Sequence, residues 1–143
     1  MSNRLVIMIG VPGSGKSFEA KQLAQECEWS DGMIAVICSA DHYFERYGAY
    51  QFDASKLSLA HTFCQGKCLG ALEAQADLVI IDNTNVQKRD RAPYIAMAKK
   101  YGYEVEERIV GEVDEESLTL YAGRNQHGVG IDIIRRFASR LER

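Results

Sequence analysis

One short stretch near the N-terminus constrains this chain more than any other. Gly10-Val11-Pro12-Gly13-Ser14-Gly15-Lys16-Ser17 has the spacing GxxxxGK[ST] and lies between an apolar run, Leu5–Ile9, and a segment of helical composition that begins near Lys16. A strand, a glycine-rich turn and a helix in that order form a phosphate cradle. Glycines let successive backbone N–H groups point into one concavity, and the helix N-terminus adds partial positive charge. Lys16 supplies a mobile cation for β- and γ-phosphates, and the Ser17 hydroxyl is placed for Mg²⁺. At a background glycine frequency of about 7%, a chance match in a chain this size is on the order of one in a hundred. The reading is a site for ATP, with GTP possible, built from Gly10, Val11, Pro12, Gly13, Ser14, Gly15, Lys16 and Ser17, with Phe18 beside them.

The rest of the chain alternates short apolar runs with amphipathic segments. Leu5–Ile9, Met33–Cys38, Leu78–Ile81 and Tyr103–Val110 read as strands. Helices are expected from about Lys16 to Glu26 (Phe18, Leu23 and Cys27 inward), from Asp53 to about Ala76, from Lys88 to Tyr101 with Gly102 as its stop, after Asp114, and after Asp132. Leu57, His61, Cys64, Cys68 and Leu72 form the expected inward stripe of the second. Strands separated by helices imply an α/β fold: three α/β/α layers around a parallel sheet of about four strands with right-handed crossovers. Ligands of such sheets sit beyond the carboxyl ends of the strands. The 143 residues fit one domain, residues 1–143.

Composition narrows the setting. A net charge of −3 excludes a strongly basic coat, although a local basic groove remains compatible with it. No apolar run approaches a membrane span, and Leu5–Ile9 is too short for a signal peptide. Cys27, Cys38, Cys64 and Cys68 form no CxxC pair and read as small apolar residues in a reducing compartment, so a cytoplasmic location is expected.

Further polar residues fall at strand ends. Asp41 lies just past the second strand. With that strand beside the first, as in many phosphate-loop folds, its carboxylate faces the γ-phosphate and can take a proton from an attacking hydroxyl. Asp41 also suits the start of a short helix at 43–46, and the two roles coexist. Asp82 follows four apolar residues, as an acid that orients Mg²⁺ or its water does. Asn83, Thr84 and Asn85 offer donors and acceptors to a polar substrate, while Asn85 also suits a helix cap. Arg124 begins a glycine-flanked loop and can close over the nucleotide as a lid, with His127 a weaker candidate. His61 reads as a packed residue of its stripe or a substrate ligand. Lys88-Arg89-Asp90-Arg91 and Arg135-Arg136 read as solvated charge clusters.

Taken in order, Asp41–Phe44 (D-x-Y-F), Tyr50–Asp53 (Y-x-F-D), Ala60-His61, Ile81–Asn85 (I-D-N-T-N) and Arg124–Val129 (R-N-x-H-G-V) resemble the polynucleotide 5′-hydroxyl kinase-like family of P-loop kinases. The resemblance runs over nearly the whole chain. It implies transfer of the ATP γ-phosphoryl group to a 5′-hydroxyl of DNA or RNA. Asp41 is then the general base, Lys16 and Ser17 the phosphate and Mg²⁺ ligands, and Arg124 the lid arginine. The phage enzymes of the family carry an arginine three residues after the base, which grips a substrate phosphate. Phe44 stands at that place here, leaving Arg46 as substitute or Phe44 to stack on a base. Gly130 replaces a proline that often follows H-G-V. Two other readings stay open: a kinase for a nucleoside, nucleotide or nucleotide-sugar, and a non-catalytic ATP-binding module. The expected partners are a nucleoside triphosphate and single-stranded or end-accessible DNA or RNA, with no membrane; oligomeric state is left undetermined.

Overall fold

A computed structural model describes residues 3–48, 50–125 and 128–143. Four parallel strands form one sheet in the order β2-β3-β1-β4. β1 (Arg4–Ile9) and β3 (Leu78–Asp82) are the apolar runs and are buried almost end to end. Such strands need cover on both faces and take the middle of the sheet. β2 (Ala35–Cys38) is short and mostly half-buried, and β4 (Glu104–Ile109) carries three glutamates and an arginine. Both lie at edges, where charged side chains reach water. The second strand is therefore not beside the first: β3 separates them, with Ile7 opposite Ile81 and Ile81 opposite Cys38.

Alternation along the strands divides the core between the two faces. Leu5, Ile7 and Ile9 pack with Val79 and Ile81 against α3 (Leu57–Glu73) and α4 (Lys88–Lys100). Val6, Met8, Leu78 and Ile80 pack against Ala20 and Ala24 of α1 (Lys16–Asp31). The result is the three-layer α/β/α arrangement. A third cluster joins Val11 of the glycine-rich turn to Leu118 and Tyr121 of α5 (Glu115–Arg124) and Ile134 of α6 (Ile131–Arg140).

Several local signals have the expected effect. Asp53 accepts from the Ser55 N–H at 3.0 Å, and Asp114 from the Ser117 N–H at 2.8 Å. Both satisfy donors left open at a helix start. Others differ. α1 continues to Asp31 and ends at Gly32, whose φ of 63° is the left-handed stop. Asp53 caps a 3-10 turn, Ala54–Lys56, and α3 proper begins after it. On α3 the buried stripe is Ala60, Cys64, Cys68, Ala71 and Leu72, while Leu57 and His61 are exposed. Small Ala60 and Ala71 let the helix approach the sheet closely, so the stripe passes through them. Asp132 lies inside the first turn of α6, after Gly130, and pairs with Arg135.

Arg91 is no part of a solvated face. It is 1% exposed, and its guanidinium donates to the carbonyls of Asn85 (2.8 Å), Val86 (3.1 Å) and Glu142, with Glu107 at 3.2 Å. It ties the turn after β3, the edge strand and the chain beyond α6 together. The cysteines are free, and all but Cys27 are buried. Burial pushes the Cys68 thiol up to about 12, so it stays protonated and packs as an apolar group. Among the described residues no helix is long and apolar enough to cross a membrane.

Candidate active site

The glycine-rich turn joins the end of β1 to α1, at the carboxyl edge of the sheet. Its glycines are required by space and by backbone angle. Gly13 has φ of 83° and Gly15 φ of 101°. A Cβ on Gly13 would lie 2.7 Å from the Tyr121 carbonyl oxygen, and one on Gly10 would lie 2.8 Å from that of Val110. Tyr121 is itself held by its hydroxyl, which donates to the Glu112 carbonyl at 3.0 Å. Changing Gly13 to alanine is therefore expected to weaken nucleotide binding about tenfold or more through strain in the loop. Titration with a fluorescent ATP analogue reads this out. Gly66→Ala is the control, because nothing lies within 4 Å of a Cβ there.

The polar groups of the turn fit a phosphate chain. Lys16 is 9% exposed and donates to the Val11 carbonyl at 3.2 Å. Burial lowers its pKa, against the opposing pull of Asp82 and Asp41. A triphosphate would supply the compensating anion. The Ser14 hydroxyl is buried with no hydrogen-bond partner, a group that a phosphate oxygen can satisfy. Arg124 arrives from the far end of the chain: its Nε donates to the Gly13 carbonyl at 2.9 Å, and its guanidinium lies 5.1 Å from the Tyr121 ring centroid. It is the last residue of α5 rather than part of a free loop, exposed at the rim of the turn. His127 lies outside the described residues.

Ser17 and Asp82 form the next layer. The Ser17 hydroxyl donates to Asp82 Oδ2 at 2.8 Å, and β1–β3 pairing, with Met8 opposite Asp82, sets this meeting. One hydroxyl and one carboxylate suit Mg²⁺, which keeps most of its other positions for water and phosphate oxygens. The residues after Asp82 brace the loop. The Thr84 carbonyl accepts from the Gly10 N–H at 2.9 Å, and Asn85 Nδ2 donates to the Met8 carbonyl at 2.9 Å. Asn83 Oδ1 accepts from the Ala40 N–H at 2.8 Å and so places the start of α2 (Asp41–Glu45). These contacts have Asn83 and Asn85 brace the fold, and burial closes Asn85 to a substrate. Asn85 is buried with φ of 48° and is not the helix cap; Gln87 and Asp90 cap α4 instead.

Asp41 opens α2 and lines a cavity of about 400 Å³ together with Ser17 and Asp82. Tyr50 donates to Asp41 Oδ1 at 3.4 Å, and its own pKa rises to about 12, through burial first and Asp41 second. Although β2 is not adjacent to β1, both strands end on one edge, so the carboxylate still reaches the cavity beside the turn. Lys21 and Glu28 of α1, His42 and Glu45 of α2, and Lys67 of α3 complete the polar walls. Reading the sequence missed all five. Lys21 and Glu28 follow Ser17 at helical spacing with Ala24 between them, a recoverable signal. Lys67 has none, because only the packing of α3 beside α2 brings it in. Burial and the Lys67 charge keep the His42 pKa below its usual value; its neutral ring can accept from the Lys67 ammonium, 3.3 Å from Nδ1.

Four residues stand elsewhere than expected. Phe44 is 6% exposed and belongs to the core, since α2 turns that face inward against Tyr50 and Phe52. It is not available to stack on a base. Phe18 is 69% exposed, and Ala20 and Ala24 take the inward positions of α1 instead. His61 is exposed and outside the cavity wall, and Arg46 is held at the far end of α2.

The AAA domain family (AAA_33) matches residues 5–129. The chain belongs to this family. It is a P-loop kinase-like AAA domain. NEDD4-binding protein 2 of Homo sapiens is 38% identical over 139 residues, which is 97% of this chain but 8% of that protein. The AAA domain described here thus corresponds to a small part of that relative. A chain in the Pnkp1/Rnl/Hen1 RNA repair complex superposes with a TM-score of 0.71 at 16% identity, over 98% of this chain and 44% of that one. The APS kinase CysC of Mycobacterium tuberculosis, in complex with AMPPNP and APS, superposes with a TM-score of 0.52 at 20% identity, over 76% and 62% of the two chains. At such identities these structures establish a shared fold for the AAA domain.

Proposed function

We propose that this AAA domain transfers the γ-phosphoryl group of ATP to a 5′-hydroxyl end of DNA or RNA. The observation that carries the reading is the convergence of Asp41 with Ser17 and Asp82 on one cavity beside the phosphate loop. The acceptor oxygen forms a bond to the γ-phosphorus as the bond to the β,γ-bridging oxygen breaks. ADP leaves, and the hydroxyl proton passes to the Asp41 carboxylate. Loop N–H groups and Lys16 hold the phosphates in line. Ser17 and Asp82 would hold Mg²⁺, which neutralises charge shared between the β- and γ-phosphates. Arg124, at the rim, faces the charge that spreads over the transferring group. GTP would serve equally at this loop, which contacts phosphates rather than a base. The relation to a chain of an RNA repair complex supports a polynucleotide acceptor.

The test is transfer of label from γ-labelled ATP to a 5′-hydroxyl oligonucleotide, with the 5′-phosphorylated strand as blank. Arg124→Ala is expected to lower kcat about 100-fold. Unaltered kcat in that variant would remove Arg124 from the mechanism. A small-molecule kinase is the second reading, favoured by a cavity whose volume suits one nucleotide-sized acceptor. Labelling of free nucleosides, nucleotides or nucleotide-sugars but not oligonucleotides would establish it. Salt separates the two as well, because polymer binding weakens steeply as salt rises. ATP binding without any labelled acceptor would leave a non-catalytic nucleotide-binding module.

A further inference from the structure

Two lysines from different helices line the cavity, Lys21 of α1 and Lys67 of α3. Among the described residues neither forms an ion pair, although Glu28 and Glu45 share the same lining. Lys67 is the better fixed of the two. Phe63, one turn earlier on α3, meets Tyr43 of α2 edge-on, with ring centroids 5.8 Å apart. Lys67 itself donates to Nδ1 of His42, also on α2, at 3.3 Å. Residues four apart share one helix face, so both contacts hold the same side of α3 against α2. The nature of the partner matters more than the distance. A carboxylate at that place would cancel the charge of Lys67. Burial and Lys67 lower the His42 pKa against the opposing pull of Glu45, Asp82 and Asp41. The neutral ring accepts from the ammonium and adds no charge of its own. An ammonium has three donors, and His42 takes one of them.

Position says what the remaining donors meet. His42 directly follows Asp41 in the first turn of α2, so the cation is placed from the turn that carries the proposed base. The phosphates of ATP have their own cations in Lys16 and Arg124, and a metal would belong to Ser17 and Asp82. Lys67 serves neither group, and what enters the cavity beside Asp41 is the acceptor. Lysine binds phosphate as a point charge, without demanding one orientation. The carboxylates Glu28, Asp41, Glu45 and Asp82 line the same cavity, so without Lys67 only Lys21 would oppose them and an anion would be repelled.

We infer that Lys67, positioned by His42, binds a phosphate ester of the acceptor close to the hydroxyl that Asp41 deprotonates. The inference rests on the kinase reading and adds a requirement to its acceptor, which must carry a phosphate as well as a hydroxyl. A strand supplies that phosphate as a diester, and a mononucleotide supplies it as a terminal group. Lys67 enters no step of the transfer; it selects the acceptor and holds it.

The test is equilibrium binding by calorimetry to the full chain, with the phosphate loop filled by ADP and Mg²⁺. The probes are adenosine, adenosine 3′-monophosphate and a dinucleotide with a free 5′-hydroxyl. Wild type should bind a phosphorylated probe about tenfold or more tightly than adenosine, the effect of one hydrogen bond to a charged group. Lys67→Met should abolish that preference, and Lys67→Arg, which keeps the charge, should retain it. Both replacements are helix formers at an exposed position, so the fold is retained. His42→Asn keeps an acceptor near the place of Nδ1 and should preserve the preference, whereas His42→Phe should lose part of it. Lys99→Met, on α4 and outside the cavity lining, should change nothing. A preference shared by both phosphorylated probes and lost in Lys67→Met assigns the phosphate group itself; one confined to the dinucleotide assigns a diester. A preference absent from the wild type, or unchanged in Lys67→Met, overturns the site even where label is transferred. A loss in Lys67→Met that is equal for adenosine and the phosphorylated probes overturns it as well. Equal preference in His42→Phe and wild type removes His42 from the proposal. A preference lost in Lys67→Met, with no label transferred by the wild type to any acceptor, supports the site and refutes the kinase reading alone.

Discussion

Asp41→Asn is expected to lower phosphoryl transfer by roughly 10²–10⁴-fold and to leave nucleotide affinity unchanged. That range is the usual contribution of a positioned general base. Asparagine keeps the size of the side chain and an oxygen able to accept from Tyr50, 3.4 Å away in the native protein. It cannot take a proton from the acceptor hydroxyl. The phosphate loop is built from other residues, so ATP binding by calorimetry should match the wild type. Transfer of label to a 5′-hydroxyl oligonucleotide should fall to the level of the background. A variant that keeps full turnover would show that the base lies elsewhere or that the reaction proceeds without one. Tyr50→Phe separates positioning from catalysis: it removes the donor to Asp41 but not the carboxylate, so a smaller loss is the expected result.

Arg91→Met is expected to destabilise the fold strongly. The guanidinium serves three carbonyls, those of Asn85, Val86 and Glu142, and also Glu107. Methionine fills part of the volume but leaves those acceptors without donors, at about 1–3 kcal/mol for each one that stays buried. A net loss of about 3 kcal/mol or more follows. At about 3 °C per kcal/mol for a chain of this size, Tm should drop by about 10 °C. Arg89→Met, two residues away and exposed, should change stability by less than about 0.5 kcal/mol. Thermal unfolding of the two variants side by side checks the contrast. Equal, small effects would mean that the carbonyls find water when Arg91 is removed. The Asn85 and Val86 carbonyls lie just after Thr84, which bonds to Gly10, so Arg91→Met should also weaken nucleotide binding.

The site itself shows a division of labour between charge and geometry. Lys16 is buried, which depresses its pKa, and the charge of a phosphate chain would oppose that shift. Asp82 keeps the Ser17 hydroxyl oriented. Arg124 is held 2.9 Å from the Gly13 carbonyl, at the rim of the loop. Asn83, Thr84 and Asn85 act one step back, by joining β2, β3 and the loop.

Much of this was legible before the structure, and the exceptions have a common cause. The loop Gly10–Ser17, the two central strands and the caps Asp53 and Asp114 were all readable, because each depends on residues adjacent along the chain. A glycine at φ of 83° or a carboxylate accepting from an N–H a few residues on is a local event. The inward face of a helix is less local. His61 and Leu57 fit a helical stripe as well as Ala60 does, and only contact with the sheet selects between them. Phe44 and Arg91 were misplaced for the same reason: a motif position says nothing of which way a short helix turns, and a charged run says nothing of carbonyls waiting inside.

By itself, then, the sequence determined the phosphate cradle, the α/β alternation and the carboxylates at the strand ends, since these follow from backbone angle, apolar periodicity and short spacing. The tertiary structure alone decided that β3 lies between β1 and β2, that Lys67 and His42 share a wall with Asp41, and that Arg124 reaches Gly13 across 111 positions of the chain. Those meetings depend on how whole elements pack, where burial of one face against another outweighs any preference written in neighbouring residues.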